Sequence, residues 1–295
     1  MGGRPETGRC ERLRPMNIAV TGGLGRLGRY VVAAFTPLHT VRVIDIGPAT
    51  SCHQADVRDL PALLAAFRDT DVVVHLGAID KSVAGDDSTT MQVNAIGTWN
   101  VFEAARQAGV RRVVHCSSSS ATGVDQTNPT IPPAYLPIDE SHPTHPTDAY
   151  GLSKLCGERI AESFSRRGLE VIVIRPCFVS FPEQAGFMTG EPGPAGRSEP
   201  PPYLRAYVGP EDCARGFLAA ATIPYAGFET FFLAAADTFA TEPTVARLEA
   251  LYGTTISLRD PALYRDTPRA SPVSHAAANR RLGWAPTTVW SLNEK

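Results

Sequence analysis

The chain has 295 residues, 43% of them hydrophobic, and a formal net charge of −2. That length holds one large domain, or one domain with a small lobe attached. The near-neutral balance excludes nucleic-acid or membrane binding through bulk charge, and no apolar run reaches the roughly 20 residues of a membrane span.

Residues 1–15 are polar, rich in Gly, Pro and Arg, and lack an apolar h-region. They read as a disordered extension, or as an upstream start before Met16, and not as a secretory signal. A first strand is expected at 16–21, running into Thr21-Gly22-Gly23-Leu24-Gly25-Arg26-Leu27-Gly28 and a helix over 26–36. A glycine-rich turn between strand and helix lets backbone N–H groups approach a pyrophosphate, with the helix N-terminus adding favourable partial charge. A second strand at 40–45 closes on Asp45, whose carboxylate can accept ribose hydroxyls and would repel a 2′-phosphate. That favours NAD over NADP, although Asp45 could instead cap a turn with Gly47-Pro48.

Further strands are expected at 71–76, 111–117 and 169–175, with helices at 59–67, 89–108 and 148–167. Gly109 follows the 89–108 helix like a C-cap. Several of these strands are apolar on both faces, as in a sheet covered on both sides. Alternating βα units of this size predict an α/β fold, a Rossmann-type doubly wound parallel sheet. After Pro176 the texture changes. Residues 182–202 are rich in Gly and Pro and read as a loop; helices are expected at 210–222, 242–252 and 274–282, and a strand at 229–234. The organisation is then a disordered extension at 1–15, a dinucleotide domain at 16–180, and a small C-terminal substrate lobe at 181–295 interleaved with the first and set over the C-terminal edge of the sheet.

The six cysteines (Cys10, Cys52, Cys116, Cys156, Cys177, Cys213) are scattered, with no C-x-x-C and no zinc spacing. They read as reduced thiols of a cytoplasmic protein. His142 and His145 lack an evident third ligand, so no metal site is expected.

Tyr150 and Lys154 lie about one helical turn apart, on one face. A tyrosine needs a shift of about 3 units, roughly 4 kcal/mol, to act as a base near neutral pH. An ammonium about 4 Å away supplies an interaction of that order. On this reading the pair is a proton shuttle. Ser117–Ser120 by texture alone is a polar turn closing a strand.

The order and spacing of TGGLGRLG, Asp45, ADVRD at 55–59, HLGA at 75–78, the long 93–123 segment, YGLSK at 150–154, IRP at 174–176, 204–216 and RRLGWAP at 280–286 resemble the extended short-chain dehydrogenase/reductases, the NAD-dependent epimerase/dehydratase group. The resemblance runs from Met16 to about Trp284. It implies a G-x-x-G-x-x-G pattern on Gly22, Gly25 and Gly28, with Arg26, Leu27, Asp56, Val57, Leu76, Gly77, Ala78 and Pro176 also lining NAD, and Asn94 helping to hold the lysine network. It implies a catalytic trio of Ser118, Tyr150 and Lys154, in which Lys154 lowers the Tyr150 pKa and hydride passes between substrate carbon and nicotinamide. Ser119, Phe178 and Arg205 fall at substrate positions.

Departures from the group's patterns narrow the reaction. Ser119 and Ser120 replace the acidic pair of dehydratases, Ser120 the glutamate of sugar-nucleotide decarboxylases, and Ser119 the cysteine of epimerase-reductases. Phe178 replaces the asparagine that bonds a sugar nucleotide, and it cannot make those hydrogen bonds. Thr122 stands in place of the usual tyrosine before the turn glycine. The lobe is compact, as in relatives resembling uronate dehydrogenases. The first reading is therefore an NAD-dependent dehydrogenase acting on a secondary alcohol of a sugar or uronate. A nucleotide-sugar 4-epimerase with retained NAD is the alternative, and a non-catalytic dinucleotide sensor the third. A homodimer through helices 89–108 and 148–167 is expected by resemblance, with Val93, Ile96, Val101, Leu155 and Ile160 compatible with either interface or core.

Overall fold

The computed structural model describes residues 14–48, 50, 52–80, 86–124, 131–184, 204–224 and 227–290. The 1–15 extension and the 182–202 loop therefore lie outside the described residues except at their margins. The strands are β1 (Asn17–Thr21), β2 (Thr40–Asp45), β3 (His53–Gln54), β4 (Val72–His75), β5 (Arg112–Cys116), β6 (Glu170–Pro176), β7 (Phe178–Val179), β8 (Tyr207–Val208) and β9 (Phe228–Leu233). The helices are α1 (Arg26–Phe35), α2 (Leu60–Ala66), α3 (Asp87–Met91), α4 (Gly97–Gln107), α5 (Ala149–Ser165), α6 (Pro210–Thr222), α7 (Thr244–Tyr252), α8 (Pro261–Asp266) and α9 (Ala276–Leu282).

Seven strands form one parallel sheet in the order β3-β2-β1-β4-β5-β6-β9. The strand order reverses between β1 and β4, and open sheets of this kind take ligands in the crevice beyond the carboxyl ends of the strands at that point. Strand periodicity builds two cores. Ile18, Val20, Val72, Val74, Ile172 and Ile174 face α1 and α6, whereas Ala19, Val73, Val113, Val171 and Val173 meet the layer containing α2, α4 and α5. The central strands β1, β4 and β6 are largely buried and apolar because both of their faces are covered.

Residues 87–107 run as one helical segment, but Gln92–Ile96 within it is a π turn, which hydrophobic spacing does not reveal. The short elements β3, β7, β8 and α8 were also outside the sequence-based expectation. The segment before α5 joins the later lobe: Leu136 bridges Leu258 and Ile138 bridges Val273. These residues share a core with Leu204, Phe232, Leu248 and Tyr264. Glu140 accepts a 2.9 Å bond from the Phe232 amide, occupying a donor on the edge strand β9. Residues beyond 181 thus serve both structures, since β9 completes the large sheet and α6 packs on α1.

At the centre of the sheet His75 and His115 stack with ring centroids 5.3 Å apart. His75 bonds Thr21 and Thr98 through its two ring nitrogens, whereas neither ring nitrogen of His115 has a partner among the described residues. Burial, aided by the Lys154 charge, pushes His75 down to about 3. Burial likewise pushes His115 well below the usual histidine value, with His75 and Lys154 adding to the effect. Below pH about 6.5 the unfolded chain binds protons that these folded histidines refuse. Unfolding free energy should therefore fall as pH drops from about 6.5 toward about 3, by up to about 1.4 kcal/mol per unit for each histidine. Urea titrations across this range test the slope. His115→Leu should roughly halve the pair's contribution without loss of stability at pH about 8; an unchanged slope contradicts this account.

Candidate active site

Asp residues cap α2, α3 and α5 through their side chains. Helix α1 differs: its N-cap is Gly25, with no side-chain cap and no acidic residue in the first turn. Its terminal N–H groups are thus left for a bound anion. The preceding turn requires glycine. Gly22 has φ +70°, and a Cβ there would stand 2.7 Å from the Gly77 amide nitrogen. A Cβ on Gly28 would come 2.2 Å from the Gly22 carbonyl oxygen. Gly25 donates to that same oxygen at 3.1 Å. A cradle this closely packed, opening on uncapped amides, fits the pyrophosphate of NAD.

The other sequence-predicted cofactor residues gather around this turn. The Asp45 carboxylate accepts from Leu24 N at 3.0 Å and from Gly47 N at 3.2 Å. It closes the turn before Pro48 and is also joined to the glycine loop. Leu27 packs against the α1 core. Arg26 pairs with Asp80 at 2.7 Å and lies over the Phe181 ring. Leu76 N and Gly77 N donate to Thr21, stitching the end of β4 to the end of β1, and Ala78 follows exposed. Val57 lies against Gly77 and Gly97, where an added Cβ would come within 3.1 and 2.5 Å of its side chain. Asp56 pairs with Arg58, whose hydrogen bonds hold its carboxyl below the usual carboxylate range. Pro176 ends β6 opposite Leu233.

Ser118 follows β5 with extended backbone, and its hydroxyl accepts from Ser120 N at 3.1 Å. Tyr150 is the second residue of α5, with its phenol close enough to Ser118 for that hydroxyl to act on its proton affinity. Buried Lys154 lies one turn later, its Nζ 5.7 Å from the Tyr150 ring centroid, and donates to the Cys116 carbonyl at 3.0 Å. The trio is therefore together. Its electrostatics differ from the sequence expectation. Burial is the largest influence on Tyr150 and, with the charge of Asp80 next, pushes the phenol well above its ordinary value; the Ser118 hydroxyl pulls it down. Burial lowers Lys154, while Cys116, Asp80 and Glu158 pull it back up. Desolvation is the largest influence on both groups.

Asn94 sits in the π turn and reaches Lys154 only through a neighbour. Its amide bonds the backbone of Ile79 in both directions and Ser153 at 3.1 Å. Ser119 is buried beneath the turn. Phe178 and Arg205 come together around Phe239, Phe178 at 6.3 Å between centroids and the Arg205 guanidinium 5.8 Å from the ring. Arg205 holds φ +52°, uncommon for a non-glycine residue, fixed by bonds from Thr238 Oγ1 and Phe239 N to its carbonyl. No carboxylate lies within ion-pair distance of it among the described residues. Asp80, Cys116 and Glu158 were missed by sequence reasoning; their nearness to Tyr150 or Lys154 is tertiary.

The profile of the NAD-dependent epimerase/dehydratase family matches residues 18–191. The chain is 34% identical over 208 residues to the L-arabinose 1-dehydrogenase (NAD(P)(+)) of Haloferax volcanii, covering 68% of this chain and 80% of that one. It is 34% identical over 179 residues to the uronate dehydrogenase of Pseudomonas syringae pv. tomato, covering 57% of this chain and 62% of the relative, under two thirds of its length. Among solved structures, a short-chain dehydrogenase/reductase superfamily protein from Agrobacterium tumefaciens with bound NAD superposes with a TM-score of 0.68 at 27% identity, covering 93% of each chain.

Asp45→Asn removes the charge that repels a 2′-phosphate and keeps one backbone acceptor. The ratio of NADP to NAD affinity should rise by about tenfold or more. Fluorescence titration with the reduced cofactors reads this directly; an unchanged ratio contradicts the assignment.

Proposed function

This chain belongs to the NAD-dependent epimerase/dehydratase family and is an NAD-dependent enzyme, and we propose that it oxidises a secondary alcohol carbon of a sugar or uronate. The observation that carries this reading is the gathering of Ser118, Tyr150 and buried Lys154 at the C-terminal end of the sheet. Ser118 holds the substrate oxygen next to Tyr150. Tyr150 takes the hydroxyl proton in oxidation and returns it in reduction. Lys154, anchored on Cys116, keeps a cation beside the ring that favours the phenolate. NAD, when bound on the Gly22–Gly28 turn, supplies the hydride acceptor.

Burial leaves the resting Tyr150 protonated. Oxidation needs that proton to leave, so kcat/KM for the alcohol should rise between pH about 6 and about 9, and the reverse reaction should fall. Arg205 lies beside Phe178 and Phe239, and although Glu242 feels its charge, no ion pair joins it to a carboxylate among the described residues, which suits an anionic group such as a uronate carboxylate. Phe178 offers that pocket an apolar wall and no hydrogen bond, which favours a free sugar acid over a nucleotide sugar.

The five described cysteines are free thiols, in keeping with a cytoplasmic setting. A homodimer through α4 and α5 is supported by exposed Ile96, Trp99 and Leu152, although Val101 proves to be core. A monomeric mass at micromolar protein contradicts the dimer.

With NAD and a panel of free sugars, uronates and UDP-sugars, one free sugar or acid should yield NADH continuously. Tyr150→Phe should then lower kcat by about 10²- to 10⁴-fold while NAD affinity changes by less than about threefold. Full activity in that variant would sink the catalytic assignment and leave the sensor reading.

A further inference from the structure

Behind the candidate catalytic trio lies a second buried polar group that the reaction chemistry does not use. Ser117 Oγ donates to Glu158 Oε1 at 2.5 Å. Arg175 grips the same carboxylate with Nε and one Nη, each at 2.7 Å. Ser117, Glu158 and Arg175 are 2, 6 and 5% exposed. A buried ion pair is weak evidence for stability, because desolvation offsets its attraction. What this one joins is more telling. Ser117 directly precedes Ser118. Glu158 lies one helical turn beyond Lys154 and two beyond Tyr150, on the same face of α5. Arg175 directly precedes Pro176 at the end of β6.

Two consecutive residues at the end of β5 are therefore tied to α5, Cys116 through Lys154 and Ser117 through Glu158. A hydroxyl bound to a carboxylate forms a short, directional bond. Arg175 fixes both carboxylate oxygens, so Glu158 cannot turn away. Resting on the proposed function, we propose that Ser117, Glu158 and Arg175 form a positioning clip that sets the distance between Ser118 and Tyr150. Glu158 also helps keep Lys154 protonated, giving the clip an electrostatic readout. A cavity of about 320 Å³ lined by Glu140, Glu158 and Arg175 adjoins the clip, so conservative changes there need no overpacking.

The test uses the full chain with whichever free sugar or uronate of the panel yields NADH. Ser117→Ala removes one hydroxyl and leaves the Glu158–Arg175 pair whole. The clip predicts a kcat about 10- to 100-fold lower, with NAD affinity within about threefold and the thermal midpoint nearly unchanged. Glu158→Gln keeps an acceptor for Ser117 but removes the charge. At alkaline pH, where loss of the Lys154 proton lowers activity, the fall should begin at lower pH in this variant, because Glu158 no longer helps Lys154 hold its proton. An unaltered kcat in Ser117→Ala, or a loss that merely tracks unfolding and lost NAD binding, overturns the proposal. Tyr150→Phe is measured alongside. Activity lost there but kept in Ser117→Ala overturns the clip alone, whereas activity kept in both overturns the catalytic assignment and the clip with it.

Discussion

Helix α5 is held against the end of β5 by polar contacts at two consecutive residues, Lys154 to the Cys116 carbonyl at 3.0 Å and Ser117, just past the strand, to Glu158 at 2.5 Å. The site depends on that junction, because Ser118 lies on one side of it and Tyr150 on the other. A hydrophobic contact could hold α5 at the right height yet let it slide, since apolar packing has little direction. Close packing narrows the freedom further: a Cβ on Gly157 would come 2.7 Å from His115 Nε2, so the helix backbone approaches β5 only because glycine is there. The same sheet supplies the cofactor turn, since β1 and β4 are stitched through Thr21, Leu76 and Gly77. One rigid sheet thus fixes both halves of the reaction, in line with the precision that rigid elements give a site.

The electrostatics of this junction run against the simplest view of a Tyr–Lys pair. The lysine alone suggests a phenol tuned toward neutrality, but burial acts on both members and disfavours both charged forms. Asp80 raises Tyr150 further. The chain's own groups therefore set Tyr150 as a proton donor at rest. In the proposed function, service as a base calls for positive charge beside the phenol, and Lys154 is placed to supply it.

Much of this was legible in the sequence because the determining signals are local. Strands apolar on both faces, glycines between strand and helix, and a Tyr–Lys pair one turn apart follow from backbone geometry and covered sheet faces. The boundaries of β2 and α6 agree with expectation for the same reason. What stayed hidden is long-range. Glu158 and Arg175 look like an ordinary helix charge and a strand-end residue until the sheet brings them within 2.7 Å. The π turn around Asn94 adds a residue to a helical turn without changing composition. Strands of two residues, such as β3 and β7, exist only through their partners and carry no periodicity of their own. The direction of the Tyr150 shift was missed because spacing counts neighbouring charges and leaves out desolvation.

The central claim is that this fold passes hydride outward to a cofactor that then leaves. The most direct measurement uses a sugar or uronate deuterated at the reacting carbon, incubated with the protein and excess NAD, with mass spectrometry of both products. The account predicts one deuterium on released NADH, accumulating beyond the protein concentration, and a ketone or lactone bearing none. Deuterium retained in an isomer of the labelled substrate, with no labelled NADH released, would contradict it and identify an epimerase.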